Sequence, residues 1–167
     1  MNTAEIDNLL ASGKSIVGSP QWNRDPQAAR VRLTATLMDS HGVVIGGVSV
    51  RLSATLYSRP QRGSAVLLFG GTVIQRLNYL PDHSHNNPMR KTVARPDRGA
   101  VLPSGQTRVY PWALNRQWPR MPGETADVGQ IVNRDLSNYA AAAAFFLSEC
   151  GIKGTISDPL WEPGLIL

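Results

Sequence analysis

The chain has 167 residues, 42% of them hydrophobic and 17% charged, with a formal net charge of +5 and an isoelectric point near 9.9. These values describe one globular domain able to bury a core, and they exclude an acidic disordered chain or a collagen-like repeat. The longest apolar run, Tyr139 to Leu147, is well short of the roughly 20 residues that cross a bilayer, and the single cysteine, Cys150, excludes an internal disulfide and a cysteine-based zinc site. The N-terminal stretch has Glu5 and Asp7 before its first lysine and no apolar centre, unlike a secretory signal. A cytoplasmic protein without a membrane partner is expected.

In chain order, residues 3–12 predict a short amphipathic helix with Ile6, Leu9 and Leu10 on one side and Thr3 as its N-cap. The fragment Gly13-Lys14-Ser15 is not a phosphate loop, because that motif needs a glycine where Asn8 stands. From Ala29 the period becomes two. Val31, Leu33, Ala35 and Leu37 alternate with Arg32, Thr34, Thr36 and Met38, and Val48, Val50, Leu52, Ala54 and Leu56 alternate likewise after a turn at Asp39–Gly42 and a bulge or bend at Gly46-Gly47. Ala65–Phe69 and Thr72–Leu77 complete the run. One-sided alternation with short turns predicts an antiparallel meander.

Residues 81–123 lack periodicity and carry seven prolines, so they read as a long Pro/Arg-rich loop region, with one short strand possible over Gln106–Trp112. A long helix is then expected, with Thr125 as cap, Asp127 in its first turn, and Val128, Ile131, Val132, Leu136, Tyr139, Ala140, Ala143, Phe146, Leu147 and Cys150 at spacings of three and four. Gly151-Ile152 resembles a left-handed C-cap. The expected fold is therefore α+β: a single domain over 1–167 with an N-terminal helix and lead-in (1–28), an antiparallel meander of about four to five strands (29–80), a basic loop region (81–123), a long C-terminal helix (124–152) and a tail (153–167).

Charge is distributed unevenly. Arg59 to Arg120 holds ten basic and two acidic residues, a net of +8, while the rest of the chain carries −3. Such a stretch points to an acidic partner: nucleic acid, a nucleoprotein complex or an acidic protein. Arg95, Arg98, Arg108, Tyr110, Trp112, Arg116, Trp118 and Arg120 are the candidates for that surface, with the aromatics either stacking on bases or covering a sheet edge. Its densest reactive cluster is Asp82-His83-Ser84-His85-Asn86-Asn87-Pro88-Met89-Arg90-Lys91. One reading makes His83 and His85 the proton-transfer groups of a phosphodiester cleavage, with Arg76, Arg90 and Lys91 on the phosphate. A second makes His83, His85 and Asp82 ligands of a divalent metal, since H-x-H can place two imidazoles on one side of an extended segment, with a further protein ligand to come from elsewhere. A third makes the cluster a structural turn. The pattern implies no cofactor.

The order of features, from the meander through R-x-x-x-x-P-x-H-x-H-N-N-P at Arg76–Pro88 to a Tyr-Pro-Trp strand and a helix ending Phe146-Leu147, then Cys150-Gly151-Ile152, resembles small prophage and mobile-element proteins with a layout similar to TumE-type toxins. The family's further histidine-bearing strand is replaced here by Gln106-Thr107-Arg108-Val109-Tyr110. The resemblance implies a mobile-element setting and, if catalysis occurs, ribonuclease-like chemistry. The expected function is an accessory protein that engages nucleic acid or a nucleoprotein complex through the basic segment. The alternative is a non-enzymatic phage-encoded inhibitor that blocks a host defence complex by protein–protein binding, and the apolar C-terminus also suits an assembly protein.

Overall fold

The computed structural model describes residues 2–25, 28–117 and 126–162. The first helix, α1, spans Thr3–Ala11. Its cap is Asn2, one residue before the expected Thr3. Asn2 Oδ1 accepts the Glu5 N–H at 3.0 Å, and Glu5 Oε2 accepts the Asn2 N–H at 2.6 Å. This capping box satisfies two donors that the first helical turn leaves open. At the other end, buried Lys14 donates through Nζ to the Leu9 carbonyl and, at 2.7 Å, to that of Ser12.

The meander forms as its alternation requires. Strands β1 (Lys14–Ile16), β2 (Asn23–Arg24), β3 (Arg30–Asp39), β4 (Val44–Thr55), β5 (Gly63–Phe69) and β6 (Thr72–Tyr79) precede β7 (His85–Asn86), β8 (Val101–Leu102), β9 (Arg108–Tyr110), β10 (Gln130–Ile131) and β11 (Ile152–Lys153). The main sheet runs β10-β9-β6-β5-β4-β3-β1-β11, with β2 beside β3; all its pairings are antiparallel except β1 with β11. Pairing of β3 with β4 shifts between Thr36 and Met38, opposite Gly47 at φ +75°, where the glycine pair suggested a bulge or bend.

Val31, Leu33, Ala35, Leu37, Val50, Leu52, Ala65 and Leu67 are 0–2% exposed, and with Ile6 and Leu9 of α1 they form one core. The second helix, α2, covers the same core but is short. It spans Tyr139–Glu149, capped by Asn138, whose Oδ1 accepts the Ala141 N–H at 2.8 Å. The long helix expected over 124–152 is thus corrected to its second half. Thr125 lies outside the described residues. Val128 does not extend the helical face; it is buried in an extended segment that leads into β10. The alanines let α2 approach the sheet closely, and at Gly63 a Cβ would sit 2.3 Å from Tyr139 Cε2. Cys150 is a packed thiol, its pKa pushed up to about 12 by burial.

The strand count also exceeds the expected four to five. Within the anticipated loop region, β7 and β8 pair with each other, β9 joins the sheet beside β6, and a 3₁₀ turn spans Trp112–Leu114. On β6, Arg76 and Asn78 alternate with core residues Leu77 and Tyr79, so they face away from the helices. Their register partners Tyr110 and Arg108 share that outer face yet are only 1% and 0% exposed. The 85–102 excursion is what covers them: the His85 ring stands edge-on to Tyr110 at 5.2 Å, and Arg108 donates to the Leu102 carbonyl at 3.2 Å.

No helix among the described residues is long and apolar enough to cross a membrane.

Candidate functional site

The outer face of the sheet is built from short polar side chains and arginines. In register across the strands lie Arg32, Ser53, Ser64, Asn78 and Arg108, and in a parallel row Thr34, Arg51, Val66, Arg76 and Tyr110. The Ser53 and Ser64 hydroxyls hydrogen-bond across the pair at 2.9 Å. Where the ends of β4, β5 and β6 meet their connecting loops, the face opens into a cleft of about 230 Å³. Arg30, Arg62, His83, Asn78, Ser53 and Ser64 line it.

His83 stands on the rim with Nδ1 3.0 Å from Asp82 Oδ1, while Asp82 Oδ2 lies 3.2 Å from the Arg62 guanidinium. The hydrogen bond from His83, reinforced by Arg62, holds the Asp82 carboxyl below the usual carboxylate range. With Nδ1 engaged by the carboxylate, Nε2 is the ring nitrogen left for a ligand. Arg30 and Arg51 have no ion-pair partner among the described residues, whereas Arg32 is 2.9 Å from Asp25. Arg30 and Arg62 against the single carboxylate of Asp82 leave the cleft lining net positive.

The second histidine does not join the first. His85 Nε2 donates to the Asp127 carbonyl at 2.7 Å, which places its proton on that nitrogen and commits the ring to holding residues 126–129. His83 lines the cleft and His85 does not. Among the described residues no group of three or more His, Cys, Asp or Glu side chains is close enough to hold a metal ion.

Several arginines of the basic segment are engaged within the protein. Arg76 lies 3.9 Å over the Tyr110 ring and donates to the Ala126 carbonyl at 3.0 Å. Arg90 forks onto Asp127, both bonds at 2.8 Å, and Arg98 donates to the carbonyls of Val93 and Lys91 at 2.7 and 2.9 Å. Arg116 pairs with Asp7, which also accepts the Trp112 indole N–H at 2.7 Å. Arg108, Tyr110 and Trp112 are buried, so they present no surface on which a base could stack. Lys91 and Arg95 are exposed. Trp118 and Arg120 lie outside the described residues.

Arg30, Arg62, Ser53, Ser64 and Asn78 had no distinct sequence signal as site residues. Strand alternation marks Ser53 as solvent-facing, but only the pairing register places it beside Ser64 and Asn78. No protein-family model, curated protein or solved structure matches the chain.

Proposed function

We propose that the chain is an accessory protein that binds a single strand of nucleic acid, RNA foremost, with a backbone phosphate held in the cleft between Arg30 and Arg62. One observation carries this reading: a solvent-open cleft on a polar sheet face that brings two arginines, a carboxylate-oriented histidine, an asparagine and a serine pair around about 230 Å³. Guanidinium groups and small donors on a flat sheet suit a phosphate backbone, and a cleft of this size suits one nucleotide rather than a duplex. The mobile-element setting rests on the sequence resemblance alone.

Binding is favoured over cleavage. A metal-free phosphodiester cleavage uses one group to take a proton and another to give one. His83 with Asp82 supplies one such group, and His85 is hydrogen-bonded elsewhere. The non-enzymatic alternative, an inhibitor that docks on a protein complex, is favoured by the internal engagement of Arg76, Arg90, Arg98 and Arg116.

Fluorescence anisotropy with a labelled single-stranded RNA tests the proposal. Replacing Arg30 and Arg62 together by alanine is expected to weaken binding about tenfold or more, the equivalent of about 1.4 kcal/mol. Arg134→Ala, beside α2, is expected to leave it unchanged. Equal affinities in all three proteins would refute the cleft as the binding site. RNA cleavage that disappears in His83→Ala would overturn the preference for binding over catalysis.

A further inference from the structure

Arg108 is an unusual interior residue. It is 0% exposed, and among the described residues its side chain makes one hydrogen bond, the 3.2 Å donation to the Leu102 carbonyl; Nε and the second terminal nitrogen have no partner there. Nε of Arg76 is likewise buried and unpartnered. The two side chains are diagonal neighbours on the outer face, because Arg76 pairs with Tyr110 and Arg108 with Asn78. Diagonal Cβ atoms across an antiparallel pair lie about 7–8 Å apart, within the span of two guanidinium groups. Burial lowers the Arg76 pKa; Tyr110 opposes that shift, and the neighbouring charge of Arg108 adds to it.

Asp127 offsets part of the charge on Arg76 from a distance, but no carboxylate hydrogen-bonds either guanidinium among the described residues. Asp127 is occupied by the fork from Arg90, and Asp97 Oδ1 accepts from Gln130 Nε2 at 3.0 Å. Buried charges in folded proteins are paired, because an isolated ion forfeits its hydration without return. Two adjacent guanidinium groups with three unpartnered nitrogens call for a small anion that carries more than one charge and several acceptor oxygens.

We propose that Arg76 and Arg108 form a buried binding site for a phosphate-class oxyanion, enclosed by the two-residue ladder of β7 and β8. Complete burial of Arg108 selects a free anion over a phosphate within a nucleic-acid strand. The cover consists of two residues on each side, His85 with Leu102 and Asn86 with Val101, and so short a ladder opens locally at low cost. The site is separate from the cleft, and the two readings fail separately.

The test is thermal unfolding of the full chain in inorganic phosphate at constant ionic strength, balanced with sodium chloride. Ligand that binds only the native state raises the midpoint with its concentration, and about 10 mM phosphate is expected to raise it by about 3 °C or more. Arg108→Met keeps the apolar stem, removes the unpaired donors and is expected to abolish the phosphate-dependent rise. Arg76→Gln is expected to reduce it, and serves where the methionine variant does not fold. Arg134→Ala is expected to leave the rise intact, and a rise lost in Arg30→Ala but kept in Arg108→Met would place the phosphate in the cleft and overturn the proposal. Equal midpoints in phosphate and chloride for the wild type, or an undiminished rise in Arg108→Met, would overturn the proposal.

Discussion

Asn87 and Gly129 are joined through both polar groups of the asparagine side chain. Gly129 donates its N–H to Asn87 Oδ1 at 2.8 Å, and Asn87 Nδ2 donates back to the Gly129 carbonyl at 2.8 Å. Asn115 does the same one residue earlier: its Oδ1 accepts the N–H groups of Asp127 and Val128, each at 2.9 Å, and its Nδ2 donates to the Val128 carbonyl at 2.8 Å. Two asparagine side chains thus stand in for a neighbouring strand along a buried extended segment. Gly129 is required there, since a Cβ would lie 2.9 Å from both Leu102 Cδ1 and Tyr110 Cε1.

Asn87→Ala removes these two bonds and a third, from Nδ2 to the Asp97 carbonyl at 2.9 Å. The side chain is 2% exposed, so water cannot replace it. A loss of about 2–3 kcal/mol is expected in urea unfolding, because backbone groups of Gly129 are left buried and unpaired. A change below about 0.5 kcal/mol, the range of ordinary surface substitutions, would contradict this role.

This clamp also explains what could and could not be read from the sequence. The periodicity of Val31–Leu37 and Val48–Leu56 reports one-sided burial directly, and the strands and their bulge follow from it. Val128, Ile131, Val132 and Leu136 fit a helical spacing equally well, but the backbone of 127–129 bonds to Asn87 and Asn115, which lie 42 and 12–13 positions away in the chain. Partners that distant leave no local pattern. The site follows the same logic. His83 stood out as a reactive side chain, whereas Arg30, Ser53 and Ser64 become site residues only through cross-strand register. The basic segment showed its charge but not its pairings: Asp7, which neutralises Arg116, lies 109 residues away.

Gly63→Ala is expected to destabilise the fold by about 1–3 kcal/mol, the usual range for overpacking. Its Cβ would meet the Tyr139 ring at 2.3 Å and the Ser53 carbonyl at 2.6 Å. The same change would disturb the Tyr139 hydroxyl, which donates to the Ser64 carbonyl at 2.6 Å next to the cleft. Comparing the midpoint of urea unfolding with that of Gly13→Ala, where an added Cβ meets nothing within 4 Å, separates this contact from the general effect of losing a glycine.

The Asp7 carboxyl is held below the usual carboxylate range by its hydrogen bond from Arg116 and then by that from Trp112. A depressed native pKa contributes stability that is fully present above the unfolded value, about pH 4. It is lost as pH falls through the depressed value. The stability difference between wild type and Asp7→Asn is therefore expected to be largest at neutral pH and to shrink on acidification below about pH 4. Urea midpoints measured from pH 7 downward check this; a difference that grows toward low pH would contradict the pairing.

The central claim, that a nucleic-acid phosphate occupies the cleft of Arg30 and Arg62, is tested most directly by the salt dependence of single-stranded RNA binding. For single strands the logarithm of affinity falls with the logarithm of salt concentration by about 0.7 for each phosphate neutralised. A negative slope is expected for the wild type, shallower by about that amount for each of Arg30→Ala and Arg62→Ala. A slope that neither substitution changes, or binding indifferent to salt, would contradict the account.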